Sequence, residues 1–351
     1  MQILNLATNV ILCFVVFLAG ETSGTNPQNK QIINKISFGS CLKVSRPQPV
    51  WNAINNFHPD LFIFLGDNVY ADTKDPFRLR QAWQRLGHQS GYVKLKQQSI
   101  ICAIWDDHDY GKNDAGKEFP IRKESQQIFL DFFDEPIDST RRTSPGIYTE
   151  KTFGPIGSRL QLILLDTRFF RDPLIRAKER RPGKGPYEPT QNLSSTLLGT
   201  SQWEWLEKTF NKEADLRIIC TSIQFLSSEH GWETWGNFPH ERKRLYSIIE
   251  KNNHQNIFFL SGDRHSAEFS MDGSTLPFPL WDLTSSSLNL SLAARKEENS
   301  YRVGNQFFEE NFGVLEIDWT DQGPIVDASI RNVEGNILLK KRVLNPSLKK
   351  N

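Results

Sequence analysis

The segment IWDDHDYGKND, residues 104–114, contains four carboxylates, one histidine and one asparagine directly after the apolar run SIICAIW. Uncompensated acids at the end of a buried strand would repel one another and lose their hydration, so the pattern predicts a bound cation. Asp106 and Asp109 fit supporting positions or helix caps better than ligand positions. The segment therefore predicts one part of a metal site.

Other predicted strands also end in residues with coordinating or phosphate-binding chemistry. They are Cys41 after SFGS, Asp67 and Tyr70 in LGDNVY, Asp166 and Arg168 in LLDTR, and Asp263, Arg264 and His265 in SGDRH. Ligands gather at the carboxyl ends of strands in α/β sheets, so we expect these side chains to converge. Thiolate, phenolate, imidazole and carboxylate donors favour Fe or Zn, and an oxygen-lined neighbouring site suits Ca, Mg or Mn.

Each of these residues has an ordinary structural alternative when it is considered alone. Cys41 could be a packed small hydrophobe, Tyr70 a core aromatic and His265 a hydrogen-bonded structural histidine. The metal hypothesis depends on the joint pattern, in which successive strand ends carry the same kind of chemistry.

The elements that would position these residues follow from hydrophobic periodicity. Six apolar runs predict buried strands: KISFGS, LFIFLGD, IICAIWDD, LQLILLDT, LRIICTSI and IFFLSGD. Amphipathic segments predict helices over residues 76–97, 123–134, 199–214 and 239–253. This alternation favours an α/β class. A β-rich C-terminal end follows, with a hairpin that turns near residues 334–336, and residues 171–200 predict a surface excursion, with a lid as the alternative.

The N-terminal region indicates the cellular compartment, and the net charge indicates which partners to expect. Residues 10–20, VILCFVVFLAG, have the length of a signal-peptide core, although no Lys or Arg precedes them, and an N-terminal core element is the alternative. We predict a signal peptide over residues 1–24 and a single domain over residues 25–351, secreted or periplasmic, without a transmembrane segment in the mature chain. The formal net charge of +1 gives no reason to expect nucleic-acid recognition. We expect a monomer.

The motifs SFGSC, LGDNVYAD, IWDDHDYGKND, LLDTRFFRD, QWEWLEKTF, HGWETWGNFPHER and SGDRHSAEFS together resemble the alkaline phosphatase D-like (PhoD-like) metallophosphatases. These form a branch of the calcineurin-like phosphoesterase superfamily, and the similarity spans about residues 36–320. The resemblance implies a four-layer αββα sandwich of two mixed β-sheets, with a dinuclear or larger metal centre at the sheet edges. Cys41 stands where the superfamily's first acidic motif would be, and Tyr70 replaces the second Asp of G-D-x-x-D, as in purple acid phosphatases.

The resemblance also implies the ligands of two metal ions. The first ion, expected to be Fe(III), would be held by Cys41, Asp67, Tyr70 and His265. The second ion, expected to be Ca with Zn, Mn or Mg as alternatives, would share Asp67 and bind Asp107 and Asp263.

The remaining roles concern the substrate. His108, beside Asp107, is the candidate catalytic residue, and Asp109 either orients it or caps a helix. Asn113 is a candidate contact with the second ion or the phosphate. Arg168 would bind phosphate or form a salt bridge with Asp166. The superfamily's isolated histidine has no clear counterpart, and Gln224 or His230 could take its place.

These assignments predict a secreted metal-dependent phosphoric ester hydrolase in which metal-activated water attacks a small phosphate mono- or diester. A phosphodiesterase or phospholipase-type activity is one alternative. A homologue that binds phosphate or metal without turnover is another, and a purple-acid-type enzyme is a third that Tyr70 supports but GSC and WDDHD do not.

Overall fold

The computed structural model describes residues 30–179, 181–292 and 297–346. Its strands, in chain order, are β1 (Lys35–Gly39), β2 (Leu61–Leu65), β3 (Ile100–Ile104), β4 (Thr149–Phe153), β5 (Leu160–Leu164), β6 (Ile175–Arg176), β7 (Tyr187–Glu188), β8 (Leu216–Cys220), β9 (Ile257–Ser261), β10 (Ala267–Asp272), β11 (Leu280–Ser285), β12 (Asn311–Thr320), β13 (Gly323–Asn332) and β14 (Ile337–Leu344). Its helices are α1 (Val50–Phe57), α2 (Pro76–Gly87), α3 (Ser90–Gln98), α4 (Asp107–Tyr110), α5 (Arg122–Phe132), α6 (Gly199–Phe210) and α7 (Pro239–Asn252).

Two six-stranded mixed sheets form the centre of the fold. The first has the strand order β14-β13-β12-β1-β2-β3, and its β1, β2 and β3 run parallel. The second has the order β10-β11-β9-β8-β5-β4, and its β11, β9, β8 and β5 run parallel. The parallel strands of each sheet are those whose ends carry the candidate ligands.

The two sheets pack face to face, and helices cover their outer faces. Neighbouring residues of β9 show the alternation: Phe258 belongs to the core between the sheets, whereas Phe259 stacks on Phe225 at 4.1 Å in the cluster that includes α6 and α7. On the first sheet, the rings of Phe62 and Phe64 contact Trp51 of α1. Because β2, β5, β8 and β9 are buried at every position, their sequences are mostly apolar, with one polar residue each in β5 (Gln161), β8 (Arg217) and β9 (Ser261).

The predicted four-layer αββα sandwich is thus confirmed, with differences in detail. The predicted helix over residues 76–97 is two helices, because the chain breaks at residues 88–89 between α2 and α3. The C-terminal hairpin turns at residues 333–336, as predicted.

The connection over residues 171–200 is anchored to its neighbours through backbone hydrogen bonds. It contains the short pair β6 and β7, and the backbone N–H groups of Gly185 and Tyr187 donate to the carbonyls of His230 and Gly231. The connection therefore forms a wall beside the loop that follows β8.

Three further findings concern the wider expectations. The predicted signal peptide over residues 1–24 lies outside the described residues, and the single domain over residues 25–351 stays a prediction. Within the described ranges, no helix has both the length and the apolarity needed to cross a membrane. Cys41, Cys102 and Cys220 are buried and unpaired, which agrees with a chain that is not built on disulfides.

A buried glutamate holds the start of α6. The side chain of Glu241, on α7, accepts hydrogen bonds from the backbone N–H groups of Leu197 and Leu198, the hydroxyl of Thr196 and the indole of Trp203. Glu241 is 6% exposed, and Leu197, Leu198 and Trp203 are buried, so these three donors have little access to water as an alternative partner. The contact fixes the end of the 171–200 connection to the second sheet's outer layer.

We predict that Glu241→Ala lowers the free energy of unfolding by about 3 kcal/mol, because it leaves several buried donors without an acceptor. Denaturant unfolding measures the change. The matched control is Glu250→Ala at an exposed position of the same helix, which should change stability by less than about 0.5 kcal/mol. Equal effects of the two substitutions would contradict this role of Glu241.

Candidate metal centre

Four of the six predicted ligands lie on loops at positions whose backbone is in the left-handed region. The φ angles are 60° at Cys41, 52° at Asp67, 67° at Asp263 and 52° at His265. Residues other than glycine rarely adopt such angles, and their cost is tolerated where the surroundings over-determine the conformation, commonly at functional sites.

The loops after β1, β2 and β3 press closely on one another. The N–H of Leu42 donates to the carbonyl of Asp67 at 2.9 Å. Gly66 has a φ of 98°, and a Cβ atom there would lie 2.5 Å from the Cβ of Asp106. Only glycine fits at this point, so the tight turn brings the acids of the β2 and β3 ends together.

The first group of ligands is formed by Cys41, Asp67 and His265, whose ligand atoms lie within 4.8 Å of one another. Tyr70 joins it, because its hydroxyl donates to Oδ2 of Asp67 at 2.8 Å. Nδ1 of His265 lies 2.6 Å from the carbonyl oxygen of Leu290. A carbonyl only accepts, so Nδ1 carries the proton and Nε2 is left with a lone pair for a metal.

The second group is formed by Asp67, Asp107 and His108. The backbone N–H of His108 donates to Oδ1 of Asp107 at 2.8 Å and to Oδ1 of Asp67 at 3.4 Å, so one peptide group aligns both carboxylates. Asp263 lines the same cavity but lies outside this tight group, and its Oδ2 is 3.4 Å from Nη1 of Arg264.

The electrostatics of these groups fit a bound cation. Burial raises the pKa of Asp67 well above its usual value, and the neighbouring Cys41 and Asp107 raise it further. Burial also raises the pKa of the Cys41 thiol to about 11. Ionised ligands therefore need a compensating charge. Sulfur, phenol, imidazole and carboxylate donors suit a trivalent or borderline ion, and the carboxylates of the second group suit a harder one.

A third acidic group, absent from the sequence predictions, consists of Asp107, Asp114 and Glu233. The backbone N–H of Asp114 donates to Oδ2 of Asp107 at 2.6 Å, and the hydroxyl of Tyr187 donates to Oδ2 of Asp114 at 2.5 Å. The 171–200 connection thus reaches the site through Tyr187. Asp114 ends the segment IWDDHDYGKND, but its type alone did not separate it from the other acids.

Two buried arginines already compensate Glu233. Its carboxylate lies 2.6 Å from Nη1 of Arg168 and 2.9 Å from Nε of Arg171. The predicted phosphate contact at Arg168 is therefore wrong: the side chain is fully buried and its Nε donates to Oδ1 of Asp106 at 2.7 Å. The alternative salt bridge to Asp166 is also wrong, since only the backbone N–H of Arg168 reaches that carboxylate.

His108 is oriented by an acid that the sequence analysis did not assign. Its Nδ1 lies 2.8 Å from both carboxylate oxygens of Asp72. Burial lowers the pKa of His108, but the hydrogen bond to Asp72 and the charges of Asp67 and Asp107 outweigh it and raise the pKa to about 10. Asp72 is the last residue of the motif LGDNVYAD, which is the signal that could have identified it.

Asp109 does not orient His108. Its carboxylate accepts from the backbone N–H of Asp106 at 2.5 Å and from the side-chain amide of Asn68 at 2.6 Å. With Asp106 it forms the capping box of α4, so the capping alternative is confirmed.

Of the other residues considered for substrate binding, one is exposed at the cavity and two are buried. Asn113 is exposed and lines the cavity, and its backbone N–H donates to Asp72. His230 is 1% exposed and its Nδ1 accepts from the N–H of Trp232, so its predicted contact with substrate is wrong. Gln224 is buried, and its amide donates to Glu268 and Thr284.

Four of the candidate ligands, Asp67, Asp107, Asp263 and His265, line one cavity of about 430 Å³, within the range of small-molecule sites. Cys41 and Tyr70 are not among the residues that line it. Beyond these ligands and His108, the described residues of its wall are acidic, amide and apolar side chains together with one arginine: Asn113, Asp114, Trp232, Glu233, Arg264, Leu292, Glu297, Gln306 and Phe308.

Comparison with known proteins agrees with this geometry. The model of the PhoD-like phosphatase family matches residues 77–312, more than half of the chain. The chain belongs to the PhoD-like phosphatase family. The predicted family membership is thereby confirmed.

One curated relative of this PhoD-like chain is the alkaline phosphatase D of Bacillus subtilis (strain 168), 26% identical over 184 residues. The match covers 46% of the chain and 30% of the relative, so the chain spans less than a third of that relative's length in the aligned region.

Solved structures resemble the PhoD-like chain in fold. A structure of PhoD is 16% identical, with a TM-score of 0.65, and the match covers 91% of this chain and 73% of PhoD. The purple acid phosphatase PPD1 from yellow lupin (Lupinus luteus) seeds is 12% identical, with a TM-score of 0.62, and the match covers 90% of this chain and 54% of that one.

For this PhoD-like chain we predict opposite effects of Asp67→Asn in the two metal states. With metal present, the variant loses bound metal and melts at a lower temperature than wild type, because binding to the native state stabilises it. After chelation it melts no lower than chelated wild type, because one buried negative charge is gone. Elemental analysis and thermal unfolding measure both effects.

The matched control is Asp60→Asn, one residue before β2 begins. Asp60 accepts hydrogen bonds from the backbone N–H groups of Asn34 and Lys35, far along the strand from Asp67. This control should lose some stability and keep its full metal content. Retention of metal by Asp67→Asn would refute the ligand assignment.

Proposed function

We propose that this chain is a secreted or periplasmic metal-dependent phosphoric ester hydrolase acting on small phosphate mono- or diesters. The observation that carries the proposal is that Asp67, Asp107 and His265 line one cavity, with the buried Cys41 grouped behind Asp67 and His265, beside a histidine that an acid holds in place. Family membership supports it. The compartment depends on the apolar run at residues 10–20 alone.

The proposed metal assignments follow the donor chemistry. Cys41, Asp67, Tyr70 and His265 would hold Fe(III), and Asp67 and Asp107, with Asp263 near them, would hold Ca or another hard divalent ion. Bound metal ions would polarise the phosphate oxygens and lower the pKa of a water molecule, so that a nucleophile forms near neutral pH.

His108 has the geometry of a group that acts on the substrate. Asp72 accepts from Nδ1, so Nε2 of the imidazolium is the donor that remains for a phosphate oxygen or the departing ester oxygen. A positive donor fixed in a partly buried site stabilises the charge that develops on those oxygens. Asn113, exposed in the cavity wall, would add a neutral contact.

A phosphodiesterase is the second candidate, because the cavity extends beyond the ligands to Trp232, Leu292 and Phe308 and has room for a second ester group. Hydrolysis of p-nitrophenyl phosphate and of bis(p-nitrophenyl) phosphate by the metal-loaded protein separates the two. Absence of turnover across a broad panel of phosphate esters would instead favour a protein that only binds phosphate or metal.

We predict that His108→Ala lowers kcat by on the order of 10²- to 10⁴-fold and that Asp72→Asn lowers it by about 10-fold, both with unchanged metal content. The reason is that Asp72 keeps the imidazole oriented and charged. Steady-state kinetics with elemental analysis measure the effect.

Asp75→Asn is the matched control for Asp72→Asn. Asp75 is exposed and caps α2, a role that Asn fills equally well, so kcat should not change. An Asp72→Asn protein with wild-type kcat would remove Asp72 from the proposed mechanism.

A separate prediction concerns the first metal. If Tyr70 and Cys41 bind Fe(III), the purified protein is coloured by ligand-to-metal charge transfer, and Tyr70→Phe shifts or removes that absorption band. Visible absorption and iron analysis test this. A colourless, iron-free and active protein would overturn the Fe(III) assignment.

A further inference from the structure

Arg264 is a positively charged residue in a cavity lined mainly by acidic side chains. Among the described residues that line the cavity, it is the one Lys or Arg, and six carboxylates line the same cavity: Asp67, Asp107, Asp114, Glu233, Asp263 and Glu297. It lies between two predicted metal ligands in the motif SGDRH, yet the assignments above give it no role. Arg168, which the sequence analysis favoured for phosphate, is buried behind this wall.

Three neighbours fix the Arg264 side chain at the cavity. Nη2 forms an ion pair with Glu297, Nη1 lies 3.4 Å from Oδ2 of Asp263, and the guanidinium lies over the ring of Trp232 at 5.6 Å. Gly185 packs against Trp232 so closely that a Cβ there would be 2.6 Å from the indole. Trp232 is therefore braced from the 171–200 connection and serves as a platform for the guanidinium.

The guanidinium keeps unused hydrogen-bonding capacity. The side chain is only 10% exposed, Nε has no hydrogen-bond partner among the residues that the structure describes, and the Nη1 contact with Asp263 is long. Leaving donors of a buried charged group unsatisfied is costly, so an added acceptor such as a phosphate oxygen would be stabilised here. Asp263 would also give up part of its negative charge to a metal, which frees Arg264 further.

We infer that Arg264 binds the phosphoryl group of the substrate and biases the site toward dianionic monoesters; this inference rests on the proposed function. An arginine fork suits phosphate oxygens. A monoester carries close to two negative charges above neutral pH and a diester carries one. Removing a fixed positive charge therefore costs the monoester more than the diester.

The test compares Arg264→Met with wild type, both metal-loaded. Methionine keeps an unbranched stem on Trp232 and removes the charge. We expect kcat/KM for p-nitrophenyl phosphate to fall on the order of 10- to 100-fold, with a smaller fall for bis(p-nitrophenyl) phosphate. The inhibition constant of inorganic phosphate should rise by a similar factor, and Arg264→Lys should recover part of both losses.

The matched control is Arg331→Met. Like Arg264, Arg331 pairs with a glutamate (Glu316, at 3.5 Å) and lies over an aromatic ring (Phe57, at 4.9 Å), but it does not line the cavity. Its substitution should leave the monoester-to-diester ratio and the phosphate inhibition constant unchanged. Equal losses on both esters with unchanged phosphate inhibition in Arg264→Met would overturn the role of Arg264.

A second measurement decides the question if Arg264→Met fails to fold or to load metal. In a crystal structure of the metal-loaded wild-type protein with inorganic phosphate, the guanidinium should donate to a phosphate oxygen at about 2.9 Å. Phosphate bound beyond hydrogen-bond reach of Arg264 would overturn the inference. Failure of the proposed function is separate: wild type would hydrolyse neither ester, while phosphate binding would still test Arg264.

Discussion

Repulsion among carboxylates buried at the edges of the two sheets is the constraint on which the rest of the structure depends. The chain resolves it in two ways. Arg168 and Arg171 neutralise the outer acids Asp106 and Glu233 inside the protein. Among the described residues, Asp67 and Asp107 form no ion pair with an arginine; both accept from the backbone N–H of His108, and Asp67 also accepts from the Tyr70 hydroxyl. The inner acids without an arginine partner are therefore the ones available to metal ions. Arg168 and Arg171 lie at the outer boundary of this acidic region.

The fold was predictable to the extent that burial leaves a periodic signal. Strands buried on both faces, such as β2 and β9, appear as continuous apolar runs. β4 is an edge strand with four of its five residues partly exposed, and the sequence TEKTF carries no such run. β10 and β11 were not predicted either, although nearly all of their residues are buried, because polar residues interrupt the apolar ones in AEFSMD and LWDLTS. The prediction of one helix over residues 76–97 was wrong because the two helices on either side of the break at residues 88–89 are both amphipathic.

The location of the candidate site residues in the fold was more predictable from the sequence than the contacts of their side chains. Strand ends locate Cys41, Asp67, Asp107, Asp263 and His265, because parallel strands end at one edge. Side-chain direction depends on loop geometry that the sequence does not encode locally. Asp109 turns inward to cap α4, whereas Asp72, on a different loop, reaches His108. Arg168 and Arg264 each follow an aspartate at a strand end. The side chain of Arg168 is nevertheless fully buried, whereas that of Arg264 lines the cavity.

The left-handed backbone at the ligand positions bears on how such a centre can be altered. Asp and His are among the residue types that tolerate this conformation best, which suits Asp67, Asp263 and His265. Cysteine has no such preference, so at position 41 the backbone alone would favour an aspartate, the type of residue expected there in the wider superfamily. In the proposed metal assignment, the Cys41 thiol occupies this position for its affinity for the metal, against the local conformational preference. Exchanging it for aspartate should be conformationally easy and should change the metal that the centre selects, which makes position 41 the natural point from which this architecture could evolve toward harder ions.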